Sequence, residues 1–259
     1  MAPKVISASR RTDLVACYPA YLKEKVSEIS STGDLQALVI WTKNPENILI
    51  NDGLNRLIIS LPLVYIHLTL TGLGGTGIEP GIPPAKNIIA MLPELIKTVK
   101  SPALVSWRFD PLLRLHNDKA GYANIYLFRE LAKAVSSAGI KTCRTSWMSI
   151  YGKVQKRIKK SGYSICDPAP EERVREALLL EREARKAGMT LLYCASPGFP
   201  GSSCVDGVFL NSFQCRGASV KKAQGQRKLC GCTESFDIGS YSMKCGNACL
   251  YCYANPSAG

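Results

Sequence analysis

Short apolar, β-branched segments alternate along the chain with longer segments whose apolar positions recur every three or four residues. The short segments predict buried strands, and the longer ones predict amphipathic helices. Strands are predicted at residues 4–8, 37–42, 64–69, 103–109, 141–147 and 190–194, and helices at residues 18–30, 85–100, 121–138 and 170–187. The last helix has the clearest pattern, because Val174, Leu178, Leu179 and Ala184 follow a helical period and Gly188 is a stop signal.

This alternation of strands and helices predicts an α/β fold with a parallel sheet and right-handed crossovers. Six such units favour a (β/α) barrel, full or partial and TIM-like, with an open doubly wound sheet as the alternative. After residue 195 the alternation fades and cysteines become frequent. We therefore expect a (β/α) barrel core over residues 1–195 and a cysteine-rich iron–sulfur segment, residues 196–259, that completes the barrel.

Polar clusters follow five of the predicted strands, at the point where each strand ends. They are Ser9-Arg10-Arg11-Thr12-Asp13, Trp41-Thr42-Lys43-Asn44-Pro45, residues 69–76 (TLTGLGGT), Trp107-Arg108-Phe109-Asp110-Pro111 and Ser146-Trp147-Met148-Ser149. Because ligand sites of parallel α/β folds lie at the carboxyl ends of the strands, we expect these clusters to line one pocket. Helix capping is the alternative role, and it suits Asp13, Asn44 and Asp110.

The charge balance of the chain points to anionic partners. Basic residues exceed acidic ones by 13 among the 259 residues, and 46% of residues are hydrophobic. The apolar fraction fits a globular protein, while the charge favours a nucleic acid, a nucleotide or a phosphorylated substrate. Dense basic runs occur only at residues 153–160 and 221–228, where solvated helix faces are the alternative. With no secretory signal and no apolar run of ~18 residues, we expect a cytoplasmic protein with no membrane partner.

Cysteines carry the strongest chemical signal. Eight of the eleven lie after residue 190, and in a reducing compartment such a density favours metal ligands over disulfides. Cys245, Cys249 and Cys252 stand at i, i+4 and i+7, so a loop wrapped around a [4Fe–4S] cluster would bring their thiolates together. Three thiolates leave one iron open for the amino and carboxylate groups of S-adenosylmethionine (SAM), with Tyr251 shielding one side.

Zinc is the alternative metal, because it binds four thiolates or imidazoles in a tetrahedron. A zinc site built from Cys230, Cys232, Cys249 and Cys252 would leave Cys245 without a role, so iron–sulfur is favoured.

The remaining cysteines of the tail suggest a second metal centre. Four thiolates from Cys194, Cys204, Cys230 and Cys232 would suit a fully ligated cluster or a zinc ion, with Cys215 as a spare ligand. The isolated Cys17, Cys143 and Cys166 are interpreted as core or surface thiols. The isolated His67 and His116 need not be ligands.

The polar clusters and the tail together resemble the DUF1848 family over nearly the whole chain. The resemblance rests on Ile6-Ser7-Ala8-Ser9-Arg10-Arg11-Thr12-Asp13, Trp41-Thr42-Lys43-Asn44-Pro45, Thr69-Leu70-Thr71, Ile78-Glu79-Pro80, Trp107-Arg108-Phe109-Asp110-Pro111 and the tail from Gln226 to Ala254. The function of this family is uncharacterised. Its tail is similar to the CxxxCxxC cluster motif of radical SAM enzymes, which has an aromatic residue before the last cysteine.

Two departures from the usual radical SAM layout matter. That motif normally follows the first barrel strand, whereas here it lies near the end of the sequence. A circularly permuted radical SAM barrel would explain this position. Residues 234–241 would then supply the strand that precedes the cluster loop. A Gly-Gly-Glu motif, which typically helps to hold the SAM amino group, is also missing, and residues 9–13 would occupy the equivalent place.

The resemblance implies a radical SAM-type iron–sulfur enzyme, with SAM, an unknown substrate and a reductant such as ferredoxin or flavodoxin as partners. Cations would bind the SAM carboxylate or a substrate anion, and carboxylates the ribose hydroxyls. The candidate catalytic residues are Arg10, Asp13, Lys43, Arg108 and Asp110, and the candidate cofactor-binding residues are Ser9, Arg11, Thr71 and Tyr251. Two alternatives remain: an iron–sulfur electron carrier or sensor that binds nucleic acid, and a zinc-stapled nucleic-acid-binding protein.

Overall fold

A computed structural model describes residues 4–213 and 217–256 of the chain. The strands are β1 (Lys4–Ala8), β2 (Leu35–Thr42), β3 (Val64–Thr69), β4 (Val105–Leu112), β5 (Arg114–His116), β6 (Gly121–Ala123), β7 (Thr142–Trp147), β8 (Ser164–Ile165), β9 (Thr190–Tyr193) and β10 (Phe236–Asp237). The helices are α1 (Leu14–Cys17), α2 (Pro19–Ser30), α3 (Glu46–Ile50), α4 (Asp52–Ser60), α5 (Ala85–Ala90), α6 (Leu92–Val99), α7 (Phe128–Ser137), α8 (Gly152–Lys160), α9 (Pro170–Lys186) and α10 (Gly207–Asn211), with 3-10 turns at Pro102–Leu104 and Asn124–Leu127.

Seven strands form one parallel sheet in the order β10-β1-β2-β3-β4-β7-β9. The predicted mixed α/β fold with parallel strands is therefore confirmed. Within the described ranges, the edge strands β9 and β10 do not pair with each other. The sheet is thus large and parallel, and strand pairing does not close it into a barrel.

The two faces of this sheet carry different residues, as the strand register shows. On one face Ile40 pairs with Ile66, and Leu68 pairs with Trp107, whose ring stacks on Phe128 of α7 at 5.1 Å. This face is the apolar layer that the helices cover, as expected for a parallel sheet. The other face, called the inner face below, carries aromatic and polar side chains, including Tyr65, Trp41, His67, Ser106, Arg108 and Arg144.

The cysteine-rich tail packs on the inner face and also extends the sheet. Nε2 of His67 lies 2.7 Å from the carbonyl oxygen of Cys204, and Arg144 donates to the hydroxyls of Tyr65 and Ser202. The tail strand β10 pairs in parallel with β1, Ile6 lying opposite Phe236. The strand expected within residues 234–241 is therefore present, directly ahead of the loop that carries Cys245.

A small antiparallel sheet, β6-β5-β8, was not predicted, and it changes one predicted helix. The helix expected from residue 121 begins only at Phe128, because residues 121–123 form β6 against β5. The predicted helix 85–100 is divided into α5 and α6, with Pro93 near the start of the second helix.

The last long helix, α9, is confirmed in position, but only part of its predicted apolar stripe is buried. Val174 and Leu178 are 50% and 62% exposed, whereas Ala177, Leu180 and Ala184 are buried. Glu176 and Glu183 are also buried and form ion pairs with arginine or lysine side chains. Apolar periodicity therefore indicated the helix correctly and half of its stripe: Ala184 is buried and Leu179 packs against the core, whereas Val174 and Leu178 are exposed. Among the described residues, each helix is too short or too polar to cross a membrane.

Candidate functional site

A cavity of about 540 Å³ lies at the carboxyl ends of the parallel strands. Each of the five polar clusters at the strand ends contributes residues to its lining. The cluster at residues 69–76 contributes only Thr69. The predicted site residues that line it are Ser9, Arg10, Arg11, Asp13, Lys43, Arg108, Asp110, Tyr251, Cys194, Cys204, Cys230, Cys232, Cys245, Cys249 and Cys252. Thr71 does not belong to this lining; it is buried, and its hydroxyl accepts a hydrogen bond from the Leu73 amide at 3.2 Å.

Cys245, Cys249 and Cys252 lie on one tightly wound loop. The Ala248 amide donates to the Cys245 carbonyl at 3.2 Å, and the Cys252 amide donates to the Cys249 carbonyl at 3.1 Å. These two turns place three thiols at the same cavity. Cys245 and Cys249 are buried and Cys252 is half-buried, and burial raises the pKa of Cys249 to about 12.

A second loop fixes this cysteine loop from one side. The Gly81 amide donates to the Asn247 carbonyl at 3.3 Å, and the Leu250 amide donates to the Ile78 carbonyl at 3.0 Å. A Cβ atom at Gly81 would lie 2.4 Å from the Gly246 carbonyl oxygen, so only glycine permits this approach.

From the other side, Arg157 of α8 fixes the loop. Its Nη1 donates to the carbonyls of Leu250 at 2.9 Å and of Cys252 at 2.8 Å. One residue of the basic run at 153–160 therefore positions the cysteine loop, although the run itself resembles a solvated helix face.

Asp13 caps α1 and at the same time holds the cysteine loop. Its side chain accepts from the amide of Ala16 at 3.0 Å, the amide of Lys43 at 2.7 Å, the hydroxyl of Thr42 at 3.1 Å and the side-chain amide of Asn247 at 3.1 Å. Burial raises the pKa of its carboxyl group. The hydrogen bonds lower this pKa, but the effect of burial is larger and the net shift is upward. Because its oxygens are occupied, we interpret Asp13 as a positioning residue rather than a ligand contact.

Lys43, Glu79 and Tyr251 form a buried polar group beside Cys249. Lys43 Nζ lies 2.8 Å from Glu79 Oε1 and 2.7 Å from the Tyr251 hydroxyl, which itself donates to Glu79. Burial lowers the pKa of Lys43, but the charge of Glu79 opposes it and the net shift is upward. Burial and Glu79 both raise the pKa of Tyr251. Lys43 therefore carries a positive charge next to the cysteine loop, and Tyr251 keeps its proton.

Cys17, which the sequence analysis set aside as an isolated thiol, lies against the loop. A hydrogen bond from Cys17 lowers the pKa of Cys245 to about 7, and the same contact raises that of Cys17. Cys143 is buried, and Cys166 is exposed with its Sγ 3.1 Å from His116 Nδ1, so these two fit the expected core and surface roles.

The other four tail cysteines meet at the same cavity. Cys194 follows β9 and is hydrogen-bonded to Cys204, while the Cys204 amide donates to Cys232 Sγ at 3.2 Å. A hydrogen bond from Cys232 lowers the pKa of Cys230 to about 6. All four are buried. These contacts pair Cys230 and Cys232 with Cys194 and Cys204 rather than with Cys249 and Cys252. The spare candidate Cys215 lies outside the described residues.

Arginines surround this second group of thiols. Arg227 Nη2 donates to Cys194 Sγ at 3.2 Å, and Arg10, whose guanidinium lies 5.0 Å from the Trp41 ring centroid, donates to Gln226 at 2.9 Å. Arg108 forms an ion pair with Asp110, which also accepts from Ser146, yet Arg108 Nε is buried without a hydrogen-bond partner among the described residues. Arg227 thus donates to a sulfur atom, and Arg10 and Arg108 lie close enough to the Cys204 thiol for their charges to interact with it.

The charge of the cavity lining is positive. It includes six cationic side chains, Arg10, Arg11, Lys43, Arg108, Lys153 and Arg227, against two carboxylates, Asp13 and Asp110. Arg11 is partly neutralised by Asp237 at 3.5 Å and lies 4.5 Å from the Tyr241 ring centroid. Such a lining favours an anionic or zwitterionic ligand.

Within residues 4–213 and 217–256, no group of three or more Cys, His, Asp or Glu side chains is arranged to hold a metal ion.

Sequence reasoning missed several residues of this site, namely Cys17, Glu79, Arg157, Arg227 and Asn247. Glu79 stood in a quoted motif, Ile78-Glu79-Pro80, and a carboxylate between apolar residues was the available signal. Asn247 lies inside the cysteine motif and could have been inferred to support it. Arg227 also stood in a quoted motif, at the start of the tail, whereas Cys17 and Arg157 come to the site only through contacts between distant segments.

Comparison with known proteins identifies the family. The chain belongs to the family described as Domain of unknown function (DUF1848), which it matches over residues 5–254. No curated protein matches it significantly.

Solved structures that resemble this chain include atrazine chlorohydrolase TrzN from Arthrobacter aurescens TC1, at 12% identity and a TM-score of 0.37. The match covers 74% of this chain and 59% of the chlorohydrolase chain. Another is the carboxyl transferase domain of Rhizobium etli pyruvate carboxylase, at 12% identity and a TM-score of 0.32, covering 99% and 42%.

Proposed function

We propose that this protein is a radical SAM-like iron–sulfur enzyme acting on an anionic substrate. The observation that carries the proposal is the arrangement of Cys245, Cys249 and Cys252. Three thiols of one loop face a positively charged cavity at the carboxyl ends of a parallel sheet. Three thiolates on a four-iron cluster leave one iron open to an added ligand, which a closed electron carrier does not need.

The residues present fit such a cluster with SAM beside it. Cys245, Cys249 and Cys252 all line the cavity, so three thiolates of one loop can bind three different irons of one cluster. Trp41 and Arg108 line the cavity, and their Nε1 and Nε atoms are buried donors without partners among the described residues. A ligand with acceptor atoms would satisfy both, as buried polar groups require.

When bound, the cluster would supply one electron to SAM, releasing methionine and a 5′-deoxyadenosyl radical that removes a hydrogen atom from the substrate. The protein's part is to bind and orient. Lys43, held by Glu79, keeps a positive charge beside Cys249, and Arg10 and Arg108 can bind a carboxylate or a substrate anion. Cys245 and Cys249 are buried in the loop beside Tyr251, which limits the access of water to these two thiols.

The strand order supports a permuted, partial barrel as the scaffold. In the usual radical SAM layout the cluster loop follows the first barrel strand. Here the loop follows β10, which pairs in parallel beside β1 at the edge of the sheet. The loop would therefore occupy the expected spatial position, although it comes last in the sequence.

The test is anaerobic purification followed by iron and sulfide analysis, then incubation with SAM and dithionite. We expect 5′-deoxyadenosine to form and SAM to alter the electron paramagnetic resonance (EPR) spectrum of the reduced protein. A Cys245→Ala/Cys249→Ala/Cys252→Ala variant should lose both properties, while Cys166→Ala, at an exposed thiol, should keep them. Stoichiometric zinc in the purified protein, or an EPR spectrum indifferent to saturating SAM, would refute the proposal.

An electron-transfer protein is the second candidate, because four further thiols line the same cavity. A carrier would show iron and sulfide but no SAM cleavage. The net positive charge leaves nucleic acid as a candidate partner in that case, and salt-dependent binding to single-stranded DNA would support it.

A further inference from the structure

We propose that Cys194, Cys204, Cys230 and Cys232 hold a second iron–sulfur cluster, closed by four protein thiolates and facing the same cavity as the Cys245–Cys252 loop. It deepens the proposed function by adding an electron-transfer centre that does not bind SAM. Its existence does not depend on SAM chemistry.

Three separate parts of the chain converge to make this site. Cys194 follows the edge strand β9, Cys204 lies in the segment that packs on the inner face of the sheet, and Cys230 and Cys232 belong to the tail before β10. The convergence is held by structure other than the thiols. The Tyr193 amide donates to the Pro200 carbonyl at 2.8 Å, and the Thr233 amide donates to the Val205 carbonyl at 2.9 Å.

The backbone around Gly231 and Gly207 is packed tightly enough to fix the thiols. The Gly207 amide donates to the Thr233 hydroxyl at 3.0 Å, and a Cβ atom at Gly231 would lie 2.7 Å from the Ser203 hydroxyl. Ser203 in turn donates to the Gly231 carbonyl at 2.7 Å. Segments 201–207 and 230–233 are therefore locked together, which is the preorganisation that a multi-ligand site needs.

The thiols are all buried, yet they line a cavity rather than the apolar core alone. Four reduced cysteines that merely filled a core would not need a space beside them. Cys194 is hydrogen-bonded to Cys204, and Cys230 to Cys232, so the four thiols form two close pairs beside the cavity. Four cysteine thiolates are the usual ligand set of a closed two-iron or four-iron cluster.

The surrounding charge suits an anionic cluster. Four thiolates on iron and sulfide leave a net negative charge, and burying it requires compensation. Arg227 already donates to Cys194 Sγ at 3.2 Å, and the buried Arg108 Nε has no partner among the described residues. Arg10 lies within reach of the charges of Cys232, Cys204 and Cys230. Hydrogen bonds to the sulfurs are the usual protein means of setting a cluster's potential.

The experiment separates the two clusters by mutation. In the Cys245→Ala/Cys249→Ala/Cys252→Ala variant, reconstituted anaerobically with iron and sulfide, we expect between about two and four irons per chain with equal sulfide. The reduced EPR spectrum of this variant should not respond to SAM. Absence of iron from a variant whose far-ultraviolet circular dichroism is unchanged, or one bound zinc in its place, would overturn the second cluster.

The reciprocal variant keeps the two proposals distinguishable. Cys230→Ser/Cys232→Ser should lose the SAM-indifferent signal and retain about four irons whose EPR spectrum responds to SAM. If those irons remain but ignore SAM, the radical SAM proposal fails while the second cluster stands. If the iron content of this variant equals that of the unmodified protein, the assignment of Cys230 and Cys232 is wrong. Cys166→Ala serves as the control for thiol loss.

Discussion

Lys43 and Glu79 form a buried ion pair, Nζ to Oε1 at 2.8 Å, with side chains only 15% and 1% exposed. The pair lies directly beside the cysteine loop, since both residues also contact the hydroxyl of Tyr251. Removing one partner of such a pair leaves an uncompensated buried charge. The geometry of the loop and the protonation of Lys43 are thereby linked.

We therefore predict that Glu79→Ala lowers the free energy of unfolding of the apoprotein by about 3–5 kcal/mol. Urea unfolding followed by circular dichroism measures this change. Glu94→Ala is the matched control, because Glu94 pairs with Lys97 at 3.5 Å on the surface, with side chains 66% and 79% exposed. The control should change stability by less than about 1 kcal/mol. Equal effects of the two substitutions would show that the buried pair does not stabilise the loop.

Much of the sheet could be predicted from sequence because its strands are apolar runs bounded by polar residues. Residues 4–8 and 64–69 form strands with the expected bounds. The five polar clusters were expected to share a pocket because carboxyl ends of parallel strands open together, and residues from each of them line the cavity. That expectation required only periodicity and a general rule of α/β folds.

What the sequence could not predict depends on contacts between distant segments. The strands β5, β6 and β8 have two or three residues each, too short for a periodic signal. Cys17 looked isolated because its partner Cys245 lies near the other end of the chain. The buried stripe of α9 contains Glu176 and Glu183, whose burial is stabilised by arginine and lysine side chains that no local pattern reveals.

A second prediction concerns the close approach of Gly81 to the cysteine loop. Gly81→Ala would place a methyl group 2.4 Å from the Gly246 carbonyl oxygen, which forces one of the two loops to move. We expect a loss of about 1–3 kcal/mol in stability and a lower iron content, because the turns around Cys245 and Cys249 shift. Gly77→Ala is the control, as the space around Gly77 is open to 4 Å. Iron analysis and urea unfolding of the two variants decide the matter; matching results would contradict the prediction.

A third prediction concerns Arg157, which donates to two carbonyls of the cysteine loop. Charged hydrogen bonds contribute about 1.5–3 kcal/mol each, so Arg157→Ala should release the loop and make the proposed cluster more labile. The rate of iron loss to a chelator under anaerobic conditions should rise at least about tenfold, the factor that 1.4 kcal/mol represents. Lys160→Ala, on the same helix, is the control for lost charge. Unchanged iron loss in Arg157→Ala would show that the loop is held by other contacts.

The fourth prediction separates positioning from ligand binding at the first strand end. Asp13 caps α1 and holds Asn247 of the cysteine loop. Asp13→Ala should therefore lower the iron content of the protein. It should also lower the free energy of unfolding, by about 0.5–2 kcal/mol from the lost cap alone. The hydroxyl side chain of Asp13→Ser can still cap the helix, so this variant should recover part of the stability but not the contact with Asn247. Full iron content in Asp13→Ala would place Asp13 outside the support of the loop.

The last prediction tests the cationic side of the cavity. Arg10 lines it next to the second group of thiols, and its Nη1 contacts only the exposed Gln226 side chain among the hydrogen bonds described. Arg10→Ala should therefore weaken SAM or substrate-anion binding by about 10- to 100-fold, the range that a charged hydrogen bond of about 1.5–3 kcal/mol gives. Cluster absorbance from Cys245, Cys249 and Cys252 should stay intact, because Arg10 does not hold that loop. Arg56→Ala, at an exposed position on α4, removes the same charge far from the cavity and should leave binding unchanged. SAM titration monitored by EPR of the reduced protein gives the affinity; equal affinities for the two variants would mean that net charge alone, and not the Arg10 guanidinium, attracts the ligand.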